Sequence, residues 1–511
     1  MRDWITAVAV TLCAGGCSFI YNPDNIAKGD GGTHAVDVEI VADVNPAAIA
    51  LTSVYPALVY EGVGQGNSRP ALIVVRGTNI APNATVTVVP VTGAPSQVTV
   101  VGTKVALDHN FIAISLAVPV DPLQDETGAK AVARLGLTIS VDNGGGVVKA
   151  IDGASDGGLK LVFLDQLTAP ITAPPDPGKR YSAINVAAAN PFAASATASV
   201  IHLRSESAIV FGAGVTANAS GTVPGPGGCA GGDKATSAPA MNSLMYACSA
   251  GAGNGSSGGG GGGHAAAGGS GSVAGLGSVA ATGGGVRGSD PILDLTAEAG
   301  GGGGGGGITV GSEGTGGGGG GIIYLDAAGD LTASISANGA QGMSGSASGG
   351  GGAGGTILLK AGGMLSAPSV TATPGAAQGS GGGAGGAGGT GRIRFDAASG
   401  MPTATPAAYQ GAAFKTVSSY SYVQNVSSSA ELQVIGPIGV TGFVGQVYGP
   451  NDSAGSSFDL SFGGGGLAQP TVGLTAGYNR ICVGVPGSNI LVHPESANCA
   501  EMAFLPGGAP L

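Results

Sequence analysis

Alternating hydrophobic and polar residues recur at a nearly fixed interval through the middle of this chain. Short apolar segments at 323–325, 357–359 and 393–395 follow one another at steps of 34 and then 36 residues. A repeat of this length is typical of solenoids, in which each unit buries its apolar face only against its neighbours. Weaker copies begin at Ile201 and Leu293. The pattern predicts strands stacked one above the other.

Each of these segments is predicted to have an inward and an outward face, because strand side chains alternate. The predicted inward pairs are 201/203, 293/295, 323/325, 357/359 and 393/395. The predicted outward residues are His202, Asp294, Tyr324, Leu358 and Arg394. Four of these five are polar, which favours a solvated face. The outward column is our candidate binding face for glycans or partner proteins, and the alternative is a solvated sheet without a ligand.

Glycine runs separate the apolar segments, and more than half of the 102 glycines lie between residues 251 and 400. Fixing glycine costs more backbone entropy than fixing any other residue, so an isolated run should stay mobile. Runs beside stacked rungs can instead pack as polyproline-II-like helices, because backbones without Cβ atoms can approach and hydrogen-bond. Such bundles resemble the glycine-rich receptor-binding tips of some bacteriophage tail fibres. The sequence does not decide whether these glycine runs form ordered helices or mobile loops.

The first 17 residues have the features of a signal peptide that ends in a cysteine. The apolar run at 5–12 is too short for a bilayer, which needs about 20 residues. The sequence Ala-Gly-Gly-Cys that ends at Cys17 resembles the lipobox of bacterial lipoproteins. The resemblance implies acyl chains on Cys17 that anchor the protein at the outer membrane or cell surface. Plain secretion is the alternative, and residues 18–46 are predicted to be a tether.

Residues 47–167 contain short β-rich runs at the spacing of an antiparallel sandwich. The segments Leu-Thr-Ser-Val-Tyr-Pro at 51–56, Gly-Thr-Asn at 77–79 and the strand at 137–141 resemble an IPT/TIG immunoglobulin-like domain. In that family such domains are spacers or binding modules, so the resemblance implies no catalytic residue.

The complete prediction is an all-β protein. An Ig-like β-sandwich at 47–167 is followed by a proline-rich linker at 168–180 and a glycine-rich β-solenoid at 181–400. Residues 401–511 lose the glycine runs and show short apolar runs between turns, which predicts a small C-terminal β-sandwich.

Four of the six cysteines form two pairs that are close in sequence, Cys229 with Cys248 and Cys482 with Cys499. This spacing favours disulfides formed in an oxidising compartment, and each would stabilise its domain by roughly 3 kcal/mol. Buried free thiols are the alternative. Neither pair has the C-x-x-C spacing of a zinc or redox site.

Charge and motif spacing argue against several other functions. A net charge of −11 without any Lys/Arg cluster argues against nucleic acid as a partner. Asp326 and Asp396 occupy equivalent rung positions, with Lys360 between them, and we interpret the three as a surface charge ladder; the alternative is the paired acids of a polysaccharide-cleaving site. Ser257 matches G-x-S-x-G only as expected by chance in a Gly/Ser-rich run. No catalytic residue, metal site or cofactor is predicted.

These observations predict a non-enzymatic, lipid-anchored surface protein that acts in adhesion, surface coating or matrix binding. Its expected partners are the membrane, through Cys17, and glycans or other surface proteins. A carbohydrate-active β-helix enzyme, either a polysaccharide lyase or a hydrolase, is the main alternative. An accessory of assembly or export at the outer membrane is the third.

Overall fold

A computed structural model describes most of the chain beyond residue 47. The described residues are 48–91, 98–120, 134–144, 147–171, 179–188, 200–234, 236–244, 246–253, 257–273, 279–288, 292, 300–306, 313–415, 422–425, 428–450, 453–488 and 497–507. The protein is essentially all-β, with 44% of residues in strands and 1% in helices. The predicted all-β class is therefore confirmed. The chain from Asn45 to Leu511 forms one compact unit.

The first nine strands form two sheets around one apolar core. They are β1 (Ala50–Tyr55), β2 (Leu58–Tyr60), β3 (Ala71–Thr78), β4 (Thr85–Pro90), β5 (Thr99–Val105), β6 (Phe111–Ala117), β7 (Arg134–Asp142), β8 (Val148–Ile151) and β9 (Leu159–Val162). One sheet has the order β1-β3-β6-β5 and the other β2-β9-β7-β4, with β8 beside β7. Alternate residues such as Ile73, Ile114 and Ile139 are fully buried between them.

The next fourteen strands pair in parallel and enclose a second core. They are β10 (Gln166–Leu167), β11 (Lys179–Tyr181), β12 (Ala183–Val186), β13 (Ile201–Ser205), β14 (Ile209–Phe211), β15 (Val215–Thr216), β16 (Ile322–Ala327), β17 (Leu331–Thr332), β18 (Ile335–Ser336), β19 (Thr356–Ser366), β20 (Val370–Thr371), β21 (Arg392–Ser399), β22 (Ala404–Thr405) and β23 (Tyr409–Gln410). Three parallel ladders result: β11-β13-β16-β19-β21-β23, β10-β12-β14-β17-β19 and β15-β18-β20-β22.

The predicted stacking of the apolar pairs is confirmed by the register of the first ladder. Ile201 pairs with Ile323, Ile323 with Ile357, and Ile357 with Ile393. All four side chains are buried in one core. β13 pairs with β16 directly, although more than 100 residues separate them in sequence. The predicted pair 293/295 lies outside the described residues.

The glycine runs form ordered helices that we name the polyglycine bundle. Within each run, donors three residues apart reach the same neighbouring run, which is the three-residue period of a polyproline-II helix. In the run 350–355, for example, the N–H groups of Gly350 and Ala353 donate to the carbonyls of Gly304 and Gly301. The next two pairs of donors, each again three residues apart, bond in the same way to the run 386–389 and to the run 337–340. All six N···O distances are 2.7–3.0 Å. Of the two alternatives that the sequence left open, these runs therefore adopt the ordered helices.

Glycine is required in the bundle because neighbouring backbones are in direct contact. A Cβ atom added at Gly316 would lie 1.8 Å from the carbonyl oxygen of Gly303, and one at Gly261 would lie 1.8 Å from that of Ala387. Real Cβ atoms essentially never come within 3.0 Å of another heavy atom. The disulfide between Cys229 and Cys248, with a Cα–Cα distance of 6.0 Å, lies beside these helices and confirms the first predicted cysteine pair.

The last ten strands form three small sheets. They are β24 (Ala413–Phe414), β25 (Tyr422–Asn425), β26 (Ser429–Glu431), β27 (Val434–Ile435), β28 (Phe443–Tyr448), β29 (Ala454–Leu460), β30 (Leu467–Ala468), β31 (Thr471–Gly473), β32 (Gly477–Gly484) and β33 (Ala497–Pro506). The orders are β25-β33-β32-β28-β29, β24-β27-β30 and β26-β31. Cys482 on β32 faces Cys499 on β33, and their disulfide confirms the second predicted pair.

The end of the chain packs against its beginning. Tyr478, Ala503 and Leu505 share a buried cluster with Leu72 and Val74 of β3. Within this contact Glu501 accepts the N–H of Leu72 at 3.3 Å and the hydroxyl of Tyr478 at 2.7 Å. Burial raises the pKa of the Glu501 carboxyl. The C-terminal strands are thereby held against the sheet that contains β3.

Candidate functional site

The outer face of the first parallel ladder carries two columns of mostly polar side chains. From β13 to β21, the first column is His202, Tyr324, Leu358 and Arg394, and the second is Arg204, Asp326, Lys360 and Asp396. We name these eight residues the outer cluster. Paired strands lie about 4.8 Å apart, so neighbours within a column are close enough for their side chains to interact.

The outer cluster is closed at its β21 end and partly open at its β13 end. Arg394, Lys360 and Asp396 are 1%, 2% and 0% exposed. The side chains of Asp326 and Arg204 retain 22% and 40% of their exposure. The predicted solvated column is therefore wrong: Tyr324, Leu358 and Arg394 are buried, and His202 is half-buried. The interpretation of Lys360 and its flanking acids as a surface charge ladder is wrong for the same reason.

Other segments of the chain cover this face. The Lys360 Nζ atom donates a hydrogen bond to the carbonyl of Ala497, the first residue of β33, at 2.6 Å. The Arg394 Nη1 atom donates to the carbonyl of Ile292 at 3.1 Å. Carbonyl oxygens thus replace the water that these two cations would otherwise bind, which a buried charge requires.

Arg394 and Asp396 form a bidentate ion pair inside this covered region. The Nε–Oδ1 distance is 2.8 Å and the Nη2–Oδ2 distance is 2.6 Å. The backbone at Gly411 passes so close that an added Cβ atom would lie 1.7 Å from Asp396 Oδ1. The carboxylate of Asp396 is therefore held between the guanidinium of Arg394 and the backbone at Gly411.

Lys360, Tyr324 and His202 form a stack along the middle of the cluster. The Lys360 Nζ atom lies 5.4 Å from the centre of the Tyr324 ring, within the range of a cation–π interaction. The His202 ring stacks on Tyr324 with 4.2 Å between ring centres and 28° between planes. At the open end, Arg204 Nε is 3.3 Å from Asp326 Oδ2.

Burial controls the protonation of the cluster. Desolvation lowers the pKa of Lys360 to about 8, although Asp326 and Asp396 act in the opposite direction. Desolvation, helped by Arg204, lowers the pKa of His202 to about 4, so this ring is neutral at pH 7. The hydroxyl of Tyr324 has a pKa raised well above its ordinary value, chiefly by burial. At neutral pH the amine of Lys360 is therefore mostly protonated and the ring of His202 carries no charge.

The chemistry that this arrangement can support is limited by access. A partly neutral lysine amine can act as a base or nucleophile. The amine of Lys360, however, faces the Ala497 carbonyl. Two strand spacings, about 9.6 Å, separate the backbones of Asp326 and Asp396, at the upper limit for the carboxyl pair of an inverting glycosidase. Asp396 is also fully engaged by Arg394.

A cleft that the described residues form lies elsewhere, on the surface of the polyglycine bundle. Its volume is about 630 Å³, and its lining residues are Ser220, Gly221, Thr222, Gly231, Asp233, Thr315 and Met343. None of the residues predicted for the binding face lines this cleft. It has one carboxylate and no aromatic platform, so it does not define a ligand class.

Ser257 and the buried His264 have structural roles, and two of the predicted residues lie outside the described residues. Ser257 is buried in the polyglycine bundle, where its hydroxyl accepts the N–H of Ala281. His264 is buried, with Nδ1 2.8 Å from the carbonyl of Gly354 and Nε2 3.3 Å from the Thr356 hydroxyl. The predicted lipidation site Cys17 and the predicted outward residue Asp294 are not among the described residues. Within the described residues, no three His, Cys, Asp or Glu side chains are placed to hold a metal ion.

Nor do those residues include a helix that is both long and apolar enough to cross a membrane. No protein-family profile, curated protein or solved structure matches this chain.

Proposed function

We propose that this protein is a non-enzymatic, lipid-anchored surface protein that acts in adhesion, surface coating or binding to a matrix. In this proposal an IPT/TIG-like sandwich, a glycine-rich β-solenoid and a C-terminal sandwich form one rigid body on a tether that begins at Cys17. Its partners would be the membrane, through the acyl chains, and glycans or other surface proteins.

The observation that carries the proposal is the way in which the charged groups of the parallel ladder are used. Arg394, Asp396 and Lys360 are satisfied by each other or by backbone carbonyls, and they lie beneath other parts of the chain. A catalytic site needs convergent groups that a substrate can reach. Groups arranged in this way instead hold the C-terminal strands on the ladder, which suits a rigid scaffold.

The carbohydrate-active enzyme remains the second candidate, and one feature favours it. Lys360, with a pKa lowered to about 8, stands between two acids on a parallel ladder. For this function the cover over the cluster would have to move and admit a sugar chain.

Two experiments test the proposed function. Cys17→Ala should release the protein from the membrane fraction, and protease treatment of intact cells followed by mass spectrometry should recover peptides of residues 48–507 from the surface. A wild-type protein that remains in the soluble fraction would contradict the anchor.

Incubation of the purified protein with a panel of polysaccharides distinguishes the proposed scaffold function from the alternative enzymatic one. We expect no turnover by the wild type. Turnover that Asp326→Asn abolishes would instead establish the enzyme. Asp326 is the better position for this test because its side chain is partly exposed, so its replacement perturbs the fold less than replacement of Asp396.

A further inference from the structure

One helix of the polyglycine bundle, residues 279–288, bonds to the runs 249–253, 257–264 and 268–273, and we name it the edge tract. On its inner side the N–H of Gly284 donates to the carbonyl of Gly261 at 2.8 Å, and the N–H of Arg287 donates to that of His264 at 2.9 Å. These donors are three residues apart, as elsewhere in the bundle. The edge tract is therefore built as a regular member of the bundle.

Its outer side presents backbone groups that no other described residue pairs. Among the described residues, the N–H groups of Thr282, Gly283, Gly285 and Val286 and the carbonyls of Ala280, Gly283 and Val286 have no hydrogen-bond partner. Val279 and Val286 beside them are 73% and 60% exposed. Unpaired donors and acceptors next to exposed apolar side chains can pair with another chain, as the open edge strand of a sheet can.

Gly285 lies on this outer side and is the position at which a side chain would block a close neighbour. Within the bundle, glycine is needed because a Cβ atom would collide with a neighbouring backbone, as at Gly284, where it would lie 2.2 Å from the carbonyl oxygen of Ser249. At Gly285 an added Cβ atom would meet nothing within 4 Å, and φ is not in the left-handed region. Contacts within this chain therefore do not require glycine at position 285, whereas a close neighbour from outside would.

We propose that the edge tract is a homotypic interface, at which the same tract of a second copy of this chain lies alongside it as a further polyproline-II-like helix. A two-fold interface must be self-complementary, and this tract presents both donors and acceptors. Antiparallel neighbours already occur in the bundle, where Gly301 and Gly304 donate to Gly263 and Gly260. Arg287 is the only charged residue of the tract and lies near its end, so an antiparallel pair keeps the two copies of Arg287 apart.

This inference goes beyond the proposed function and does not depend on the lipid anchor. The interface is a backbone contact over about ten residues and should be weak in free solution, because contacts smaller than standard interfaces bind weakly. Copies held side by side on a surface would raise the effective concentration of one tract for another.

Sedimentation velocity over a concentration series tests the inference on the full chain, with Cys17→Ser in every sample so that no acyl chain drives association. The test variant is Gly285→Leu, and the matched control is Gly465→Leu, in an exposed turn where an added Cβ atom also meets nothing within 4 Å. We expect the wild type and the control to dimerise equally and Gly285→Leu to dimerise at least about tenfold more weakly. Because both positions are open, neither variant should lower the melting temperature.

Amide hydrogen exchange supplies a second readout. Exchange at 282–286 should slow as the wild-type concentration rises, while exchange at the inner glycine Gly303 should not change with concentration. A wild type that stays monomeric at every concentration, or a Gly285→Leu variant that dimerises like the wild type, would overturn the inference. A monomeric wild type that binds a glycine-rich peptide at this tract would also overturn it, because the occupant would then not be a second copy.

Discussion

The parallel ladders and the polyglycine bundle are two cores built on opposite principles. In the ladders, side chains such as Ile323, Leu325 and Ile357 fill the interior, and burial of apolar surface supplies the stabilisation, at about 25 cal/mol per Å². In the bundle the buried residues are mainly glycines, and the contacting atoms are backbone N–H, Cα and carbonyl groups. Each hydrogen bond there contributes a net of about 1 kcal/mol.

This difference predicts how each core responds to change. A core of side chains can adjust to the loss of a methyl group through small shifts in packing. A bundle of bare backbones has no side chain that can move, so one added methyl group must displace a whole helix. Because each helix of the bundle bonds to several others, that displacement should disturb more than one neighbour. The four predictions below test this contrast, from the largest expected effect to the smallest.

The largest effect should follow Gly316→Ala within the bundle. Its new Cβ atom would lie 1.8 Å from the carbonyl oxygen of Gly303. We expect a loss of more than about 4 kcal/mol in the free energy of unfolding, which is exceptional for one methyl group. The control is Gly285→Ala, where the space is open and a gain of about 0.5 kcal/mol is expected because the unfolded chain loses freedom. Urea unfolding midpoints measure both, and equal midpoints would contradict the contrast.

The second prediction concerns the ion pair on the outer face of the ladder. Asp396→Ala leaves the guanidinium of Arg394 buried without its anion, which should cost about 3 to 5 kcal/mol. Asp326→Ala breaks the pair with Arg204 at the partly open end and should cost less than about 1 kcal/mol. The comparison is made by thermal and chemical denaturation of both variants. Similar losses for the two would mean that the cover over Asp396 does not exclude water.

The third prediction is a pH dependence that arises in the ladder and not in the bundle. The folded protein lowers the pKa of Lys360 to about 8, whereas its ordinary value is 10.5. Between these values the unfolded chain binds the extra proton, so the contribution of Lys360 makes stability rise from about pH 8 towards pH 10 and leaves it level below pH 8. The rise should amount to roughly 1 to 3 kcal/mol.

Lys360→Met isolates this contribution, because it removes the amine and keeps an apolar stem. The other titratable and charged groups of the outer cluster, namely Asp326, Asp396, Arg204, Arg394, His202 and Tyr324, are common to both proteins. The difference in unfolding free energy between wild type and variant, followed from pH 7 to 10, should therefore show the rise. A constant difference across that range would show that Lys360 keeps its proton in the folded protein.

The smallest effect is expected for a truncation inside the ladder. Ile357→Val removes one methylene from a fully buried side chain and should cost about 1 kcal/mol. Chemical denaturation is again the measurement, with Gly316→Ala as the opposite case. If loss of this methylene costs as much as the methyl group added in the bundle, the two cores do not differ in tolerance.

The repeat could be predicted from the sequence because it depends on residue type and on short spacings along the chain. The spacing of Ile323, Ile357 and Ile393 and the alternation around them were enough to place these residues in register. The two disulfides could be predicted for the same reason, since sequence separations of 19 and 17 residues make each pair a natural local partner. The resemblance of the first sheets to an IPT/TIG domain and the lipid on Cys17 stay predictions.

The prediction of a solvated outer column was wrong because the alternation of polar and apolar residues does not distinguish a polar face in water from one that other segments cover. Tyr324 and Arg394 are as polar as surface residues, and only Leu358 among the described members suggested that the face is buried. Of the residues that cover it, Ala497 lies far from the repeat in sequence and Gly411 directly follows β23, and neither has a feature that points to the column.

The sequence by itself determined the all-β class, the phase of the parallel strands, the cysteine pairs and the glycine content that a bare-backbone bundle requires, because each of these depends on residue type and short spacing. Only the tertiary structure decided which glycine run bonds to which, that the charged column is buried, and that residues 279–288 are left with an open side. Those outcomes depend on contacts between separate segments of the chain, such as Gly350 with Gly304 and Lys360 with Ala497. No local pattern encodes such contacts.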